Sequence, residues 1–154
     1  MKTVAVEEDS LFKQSNNSLI SVASFKYDLQ NMNRMIKVLI IDDDPDVRTV
    51  MNVLMKKNGF AVDTAANREE ALDKLERFDP SVVLLDVLLS GTDGRELCKK
   101  IKGDERLQHI PVIMISAHPG AAENISSYGA DDFLTKPVNT QVLLNKVLEL
   151  TKAS

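Results

Sequence analysis

Five short apolar segments recur along most of this chain, and each is followed by a segment with helical periodicity. The apolar runs are residues 36–41, 60–65, 81–86, 111–116 and 132–135. Strands that alternate with helices pair in parallel through right-handed crossovers, and helices cover both faces of the sheet. The pattern predicts a doubly wound α/β domain with a five-stranded parallel sheet. The second and fifth runs are the least apolar, which places them at the edges and indicates the strand order 2-1-3-4-5.

Capping residues mark where the helices begin and end. Asp44-Pro45 supplies an N-cap carboxylate followed by proline at the first helical position, and Asn58-Gly59 is a helix-stop signal. A second helix is expected from near Asn67 to Asp79-Pro80. Later helices are expected at about 93–102, 120–128 and 139–151. Helical spacing predicts these inward-facing residues: Val47, Val50, Met51, Leu54, Ala71, Leu72, Leu75, Val142, Leu143, Val147 and Leu150.

Composition excludes several classes of protein. The chain has 154 residues, of which 44% are hydrophobic, and its net charge is -4. This acidic balance provides no basic surface for nucleic acid or anionic membrane, so neither is expected as a partner. Its single cysteine, Cys98, excludes an internal disulfide and a cysteine metal cage, and we expect it in the core.

The first 34 residues differ from the rest of the chain. They are rich in Ser, Asn and Gln, and neither helical nor strand periodicity is sustained, so we predict a flexible extension with a short helix at most around 19–29. Residues 35–154 form the predicted domain. Met32 and Met35 stand just before the first strand and are candidate translation starts besides Met1, and the choice between these stays open. Acidic residues 7–9 interrupt any signal-peptide core, and no run reaches the length of a membrane span, so we expect a cytoplasmic protein.

Polar side chains follow four of the predicted strands. They are Asp42, Asp43, Asp86, Ser116 and Lys136. Because ligands of open α/β sheets bind outside the carboxyl ends of the strands, this edge is the candidate site. Clustered carboxylates repel each other and suit Mg²⁺, which prefers hard oxygen ligands and often contacts a phosphate. Each acid alone could be a solvated turn residue, and Asp44 is interpreted as a helix cap.

This set of residues has a coherent chemistry. A carboxylate beside Mg²⁺ can act as a nucleophile toward a phosphoryl group, while the metal, a lysine and a hydroxyl stabilise the phosphoryl oxygens. Residues 36–151 resemble the receiver domain of two-component response regulators, a bacterial signalling family that includes chemotaxis regulators. The matching motifs, in order, are VLIIDDDP, VVLLD followed by GTDG, VIMISA and GADDFLTKP. The resemblance covers about three quarters of the chain and implies the flavodoxin-like (βα)5 fold.

The resemblance implies a role for each acid. Asp86 would be the phosphoacceptor. Asp43 and Asp86 would bind Mg²⁺ directly, Asp42 would hold it mainly through water, and the backbone carbonyl of Leu88 would be a further ligand. A sensor histidine kinase or a histidine phosphotransfer protein would supply the phosphoryl group. The protein would not be an enzyme beyond catalysing its own phosphorylation and dephosphorylation.

Further roles concern the switch. The resemblance implies that Ser116 hydrogen-bonds the phosphoryl group, that Lys136 pairs with a phosphoryl oxygen, and that Phe133 is the aromatic switch residue. A cis peptide is expected before Pro137. Since the chain ends soon after Leu150, output is expected through an unidentified binding partner or onward phosphotransfer.

The chain departs from the family in the loop after the acceptor strand. The family commonly has Met-Pro-Gly-Met-Asp-Gly there, whereas this chain has residues 89–94, LSGTDG. Losing the proline is expected to loosen the loop and to affect the lifetime of the phosphoryl group. Leu88 and His118 stand where the family varies its dephosphorylation rate, and His118 is interpreted as a solvent-facing loop residue.

The sequence has features of three alternatives to a phosphorylated receiver. A phosphohydrolase of the haloacid dehalogenase type also begins with Asp-x-Asp after an apolar strand, but Asp46 stands where threonine or valine is expected. A calcium loop at residues 42–46 is disfavoured by Pro45 and by Val47, where glycine is needed. A receiver-like scaffold that binds partners without phosphorylation is the third alternative, and the presence of all key side chains disfavours it.

Overall fold

A computed structural model of the protein describes residues 34–152. Residues 1–33 of the predicted extension, with the candidate helix around 19–29, lie outside the described residues. The strands are β1 Lys37–Ile41, β2 Ala61–Ala65, β3 Val82–Asp86, β4 Leu88–Leu89, β5 Thr92–Asp93, β6 Val112–Ser116 and β7 Asp132–Thr135. The helices are α1 Pro45–Lys57, α2 Arg68–Phe78, α3 Gly94–Gly103 and α4 Thr140–Lys152, and two short 3₁₀ helices span Pro119–Ala122 and Ile125–Tyr128.

The main sheet has five strands in the order β2-β1-β3-β6-β7. Every pair in it is parallel, which confirms the predicted fold class and strand order. All five residues of β3 and of β6 are buried, as expected for strands covered on both faces. The predicted edge strands are at the edges, where β2 is mostly only partly buried. The two-residue strands β4 and β5 form a separate antiparallel hairpin.

Helices cover both faces of the sheet with separate apolar layers. On one face α1 and α4 contribute Met51, Met55, Leu143 and Val147 to a cluster with Val38 and Ile40 of β1. On the other face α2 and α3 pack against Leu39 and Ile41 of β1, through residues that include Ala71, Leu75, Leu97 and Ile101. Alternate residues of one strand therefore serve opposite layers.

Cys98 on α3 belongs to the second of these layers and is fully buried, so its predicted core position is confirmed. Burial raises the pKa of its thiol to about 11, because a thiolate would lose its hydration there. The thiol contacts the backbone oxygen of Tyr128 at 3.4 Å. Cys98 is therefore a structural residue with little thiolate at neutral pH.

Two predicted core residues are wrong: Val50 is 66% exposed and Val142 is 42% exposed. In α1 the buried pair is Met51 and Met55, and in α4 it is Leu143 and Val147. Each valine stands one residue before its buried i, i+4 pair, which places it about 120° around the helix from the centre of that pair. In α1, including Val50 at i+3 from Val47 made the predicted apolar face too wide.

The helix predicted at 120–128 is also wrong. That segment contains the two 3₁₀ helices, separated by Glu123 with extended backbone and by Asn124 with φ of 67°. Pro119 and Gly120 are poor helix residues, and Ile125 is the buried residue among the two short helices. A helix with so small a buried face gains little from tertiary packing.

None of the helices in residues 34–152 has the length and apolar character to cross a membrane.

Candidate functional site

Three carboxylates meet at the carboxyl edge of the sheet. Ile41 of β1 pairs with Leu85 of β3, so the next residues, Asp42 and Asp86, follow from neighbouring strands. Asp42 and Asp86 are buried, at 4% and 8% exposure, and Asp43 is partly buried. Each of the three offers an oxygen that lies within 4.8 Å of the others. The predicted convergence of these acids is confirmed as geometry, whereas their roles remain predictions.

Lys136 brings an ammonium to the two buried acids. Its Nζ lies 3.0 Å from Oδ2 of Asp42 and 3.3 Å from Oδ2 of Asp86. The backbone fixes its position, because its N–H donates to the carbonyl of Ser116 at 2.9 Å. The bond from Lys136 to Pro137 is cis, as expected. Burial acts to lower the pKa of Lys136, but the hydrogen bonds and charges of Asp42 and Asp86 outweigh it, so the pKa is raised.

The pKa of Asp86 is raised, mainly by burial and then by the charge of Asp42, although Lys136 acts in the opposite direction. A carboxylate in this position is poorly hydrated and faces a like charge. Its Oδ1 accepts a hydrogen bond from the N–H of Leu88 at 3.3 Å. The ionised form of Asp86 is therefore held at an energetic cost that an additional cation would reduce.

The donor set fits a hard divalent cation. Three carboxylates face one ammonium, so negative charge remains after Lys136 is counted. Oxygen ligands of this kind are those that Mg²⁺ prefers. Asp42, Asp43 and Asp86 are the side chains that would hold it. The carbonyl of Leu88, whose side chain is 56% exposed, stays a predicted ligand.

Ser116 is the last residue of β6 and is 1% exposed. Its register next to Thr135 of β7 and its position one residue after Ile115, which pairs with Asp86, place it at the same edge of the sheet. Its Oγ accepts a hydrogen bond from the N–H of His118 at 3.1 Å. The hydroxyl proton remains as the donor that a phosphoryl oxygen would need. His118 is exposed, as expected of a loop residue.

Phe133 lies on β7, where it pairs with Met114. It is partly buried and packs against the layer that contains α2 and α3, whereas its neighbour Leu134 belongs to the opposite layer. The position is compatible with a side chain that changes its packing, and the switch role stays a prediction.

Two residues at the site were not predicted. Arg48, in the first turns of α1, donates from Nη1 to the carbonyl of Asp42 at 2.7 Å. Ser90 donates from its N–H to Oδ2 of Asp43 at 3.2 Å and from its hydroxyl to the same oxygen. The hydrogen bond from Ser90 is the largest cause of a lowered pKa of Asp43. Sequence could have indicated Arg48 as a basic side chain one to two helical turns from clustered acids, but Ser90 carries no such signal.

Gly94, the last residue of the GTDG motif, is the first residue of α3. Its N–H donates to the carbonyl of Val87 at 2.8 Å, and a Cβ added here would lie 2.1 Å from the backbone oxygen of Asp86. The close approach therefore requires glycine. This contact fixes the start of α3 against the residue that carries the central carboxylate.

Comparison with known proteins agrees with this geometry. Residues 38–148 match the family model of the response regulator receiver domain. The response regulator PleD of Caulobacter vibrioides is 36% identical over 119 residues, which are 75% of this chain and 26% of PleD. The chemotaxis protein CheY4 of Vibrio cholerae has a TM-score of 0.70 with 28% identity, over 75% of this chain and 98% of that structure.

A third similar structure is the receiver domain of NtrX from Brucella abortus. Its TM-score is 0.70 with 30% identity, over 76% of this chain and 99% of that chain. The present chain thus spans about a quarter of its curated relative PleD and nearly the whole of the isolated receiver structures. The family model covers well over half of the chain, and the chain belongs to the response regulator receiver domain family.

Proposed function

We propose that this domain is a phosphorylation-activated switch, in which Asp86 accepts a phosphoryl group from a histidine kinase or a histidine phosphotransfer protein. The observation that supports this best is the position of Asp86: a buried carboxylate in reach of Lys136 and beside two further acids at the ligand-binding edge of the sheet. Burial and the charge of Asp42 raise its pKa, so the ionised nucleophile depends on the positive charge of Lys136 and of a bound cation.

The proposed transfer is a single displacement at phosphorus. A carboxylate oxygen of Asp86 forms the new bond to phosphorus, the bond from phosphorus to the donor's imidazole nitrogen breaks, and the electron pair stays on that nitrogen. The product is an acyl phosphate on Asp86. Mg²⁺ would supply charge neutralisation for the phosphoryl oxygens, held by Asp42, Asp43 and Asp86, with the carbonyl of Leu88 as a further expected ligand.

Lys136 and Ser116 would respond to the added charge. A phosphoryl group carries about 1.5 to 2 negative charges at neutral pH, and it replaces the single charge of the Asp86 carboxylate. Lys136 already lies 3.3 Å from Asp86 and would pair with a phosphoryl oxygen. The hydroxyl of Ser116 would donate to another, and its movement would be coupled to the packing of Phe133.

Such a domain signals by binding, not by turnover of an external substrate. The altered surface around β7 and α4 would select an output partner, or the phosphoryl group would pass onward to a phosphotransfer protein. We expect the exchange to take place in the cytoplasm, the compartment that the sequence predicts.

Intact mass after incubation with acetyl phosphate, with and without Mg²⁺, tests the proposal. We expect one phosphoryl adduct that requires Mg²⁺ and is absent in Asp86→Asn. The matched control is Asp73→Asn, since Asp73 is an exposed acid on α2 that pairs with Arg77, and it should be labelled like the wild type.

Rapid hydrolysis could hide the adduct, so phosphate release is measured in the same reactions. Asp86-dependent release would support the proposal as well as an adduct would. Labelling of Asp86→Asn at wild-type stoichiometry would refute the assignment of the acceptor. If neither an adduct nor phosphate release is observed, phosphorylation is refuted, and the scaffold function becomes the explanation.

A further inference from the structure

Ser90 makes two hydrogen bonds to a single carboxylate oxygen across the site. It lies at the tip of the β4–β5 hairpin, and its N–H and hydroxyl both donate to Oδ2 of Asp43. The two residues are 47 positions apart in sequence. The contact therefore joins the loop after β1, which carries Asp42 and Asp43, to the segment that follows Asp86 at the end of β3.

Asp43 has few other constraints. Asp42 and Asp86 both contact Lys136, and each accepts a hydrogen bond from a backbone N–H two residues later. Within residues 34–152, Asp43 takes part in none of the ion pairs within 4.0 Å, and its hydrogen bonds from other residues come from Ser90. The orientation of its carboxylate thus depends on Ser90 more than on any other side chain.

The residue type matters for this contact. The family pattern places proline at this position, and proline has neither an N–H nor a hydroxyl to donate. Serine provides both donors. The positive φ at the hairpin tip falls on Gly91, at 72°, and not on Ser90. The tether from the hairpin to Asp43 is therefore a property of this chain's own loop.

We infer that Ser90 is a positioning residue of the cation site: by occupying Oδ2 of Asp43 it turns Oδ1 toward the cation that the three acids would share. This inference rests on the proposed function. Hydrogen-bonded partners of metal ligands fix the ligand's orientation, and their loss commonly lowers metal affinity by about 10- to 100-fold. Because Ser90 is exposed, we expect effects at the low end of that range.

The test is the Mg²⁺ affinity of the full chain, measured by calorimetry, with Mn²⁺ binding followed by electron paramagnetic resonance as a second readout. Ser90→Pro removes both donors and should weaken binding about tenfold. Ser90→Ala keeps the N–H and should have a smaller effect. Ser90→Thr keeps both donors and should bind within about twofold of the wild type. Ser126→Ala, at an exposed serine on the second 3₁₀ helix, is the matched control.

Two measurements distinguish a general folding defect from a loss of cation positioning. Thermal unfolding without Mg²⁺ shows whether each variant folds, and if Ser90→Pro does not, the comparison of Ser90→Ala with Ser90→Thr carries the test. In labelling with acetyl phosphate, the Mg²⁺ concentration for half-maximal rate should rise in Ser90→Ala, whereas the rate at saturating Mg²⁺ should change much less.

The outcomes distinguish this inference from the function on which it rests. Wild-type affinity in folded Ser90→Pro, or in Ser90→Ala if proline is not tolerated, would overturn the positioning role. Tighter binding in these variants would also overturn it, because Ser90 would then compete with the cation for Asp43. Absence of cation binding by the wild type would overturn the proposed metal site itself, and the inference with it.

Discussion

The ammonium nitrogen of Lys136, the residue after β7, lies 3.3 Å from Oδ2 of Asp86 at the end of β3, although β7 and β3 are not neighbours in the sheet. The same nitrogen is 3.0 Å from Oδ2 of Asp42. One cation therefore offsets two buried carboxylates, and removing it would leave both charges facing each other.

We predict that Lys136→Ala still binds Mg²⁺ but is less stable than the wild type when no divalent cation is present. Added Mg²⁺ should restore part of the lost stability, because it supplies the positive charge that the lysine provided. The variant should also fail to couple phosphorylation to partner binding. Urea unfolding with and without Mg²⁺ measures the first effect.

A matched control for this prediction is Lys146→Ala. Lys146 pairs with Asp132 at 2.7 Å, and its side chain is 26% exposed, as is that of Lys136. Any stability that Lys146→Ala loses should be independent of Mg²⁺. A Lys136→Ala defect that Mg²⁺ leaves unchanged would contradict an electrostatic role at the site.

Asp86→Asn should make the protein more stable than the wild type at neutral pH without divalent cations. Burial and the charge of Asp42 raise the pKa of Asp86 in the folded protein. For a raised carboxyl pKa, the stabilising contribution is fully present below the unfolded pKa and is lost as pH rises through the folded pKa. Asp86→Asn should therefore be more stable than the wild type at pH values above the folded pKa of Asp86, and this difference in stability should shrink below about pH 4.

Unfolding free energies of both proteins across this pH range check the sign. Asp43→Asn is the informative control, because the hydrogen bond from Ser90 lowers the pKa of Asp43. The contribution of Asp43 is present above the unfolded pKa and lost as pH falls through the folded pKa, so this variant should gain no stability at neutral pH. Equal behaviour of the two variants would show that burial of Asp86 does not govern the effect.

Gly94→Ala should destabilise the fold and disturb the acceptor. The new Cβ would lie 2.1 Å from the backbone oxygen of Asp86, and backbone cannot yield as a flexible side chain does. We expect a loss of about 1–3 kcal/mol, as for other overpacked sites, together with slower phosphorylation. Thermal unfolding and the acetyl phosphate assay measure these effects.

Gly103→Ala serves as its control, since a Cβ at Gly103 meets nothing within 4 Å. Alanine is a better helix residue than glycine, by about 1 kcal/mol in a helix interior, so this variant at the end of α3 should be neutral or more stable. A similar loss in both variants would show that the close approach at Gly94 is not what requires glycine.

The sequence predicted the sheet well because two simple signals coincide in it. The first, third and fourth apolar runs end at or just before a polar residue, and β1, β3 and β6 end within one residue of the predicted positions. Parallel pairing then brings Asp42, Asp86 and Ser116 to one edge, whatever the details of packing. Topology alone therefore carried the prediction of the site's main residues.

The parts that could not be predicted depend on contacts between loops and on helix rotation. Ser90 reaches Asp43 through a hairpin tip, and Arg48 reaches back to a carbonyl. Neither contact has a sequence period. The segment 120–128 has apolar residues at helical spacing, but Asn124 adopts φ of 67° and interrupts the helix. Periodicity could not show that interruption.

The orientation of α1 about its axis determines which of its apolar residues are buried. Met55 is fully buried, whereas Val50 is 66% exposed. Met55→Ala should therefore cost about 2–5 kcal/mol of unfolding free energy, as buried large-to-small substitutions do. Val50→Ala should change it by less than about 0.5 kcal/mol, because an exposed helix position loses little packing and alanine favours the helix. Chemical unfolding of both variants decides the matter, and an equal loss at Val50 would mean that the α1 face predicted from i, i+3 spacing is covered after all.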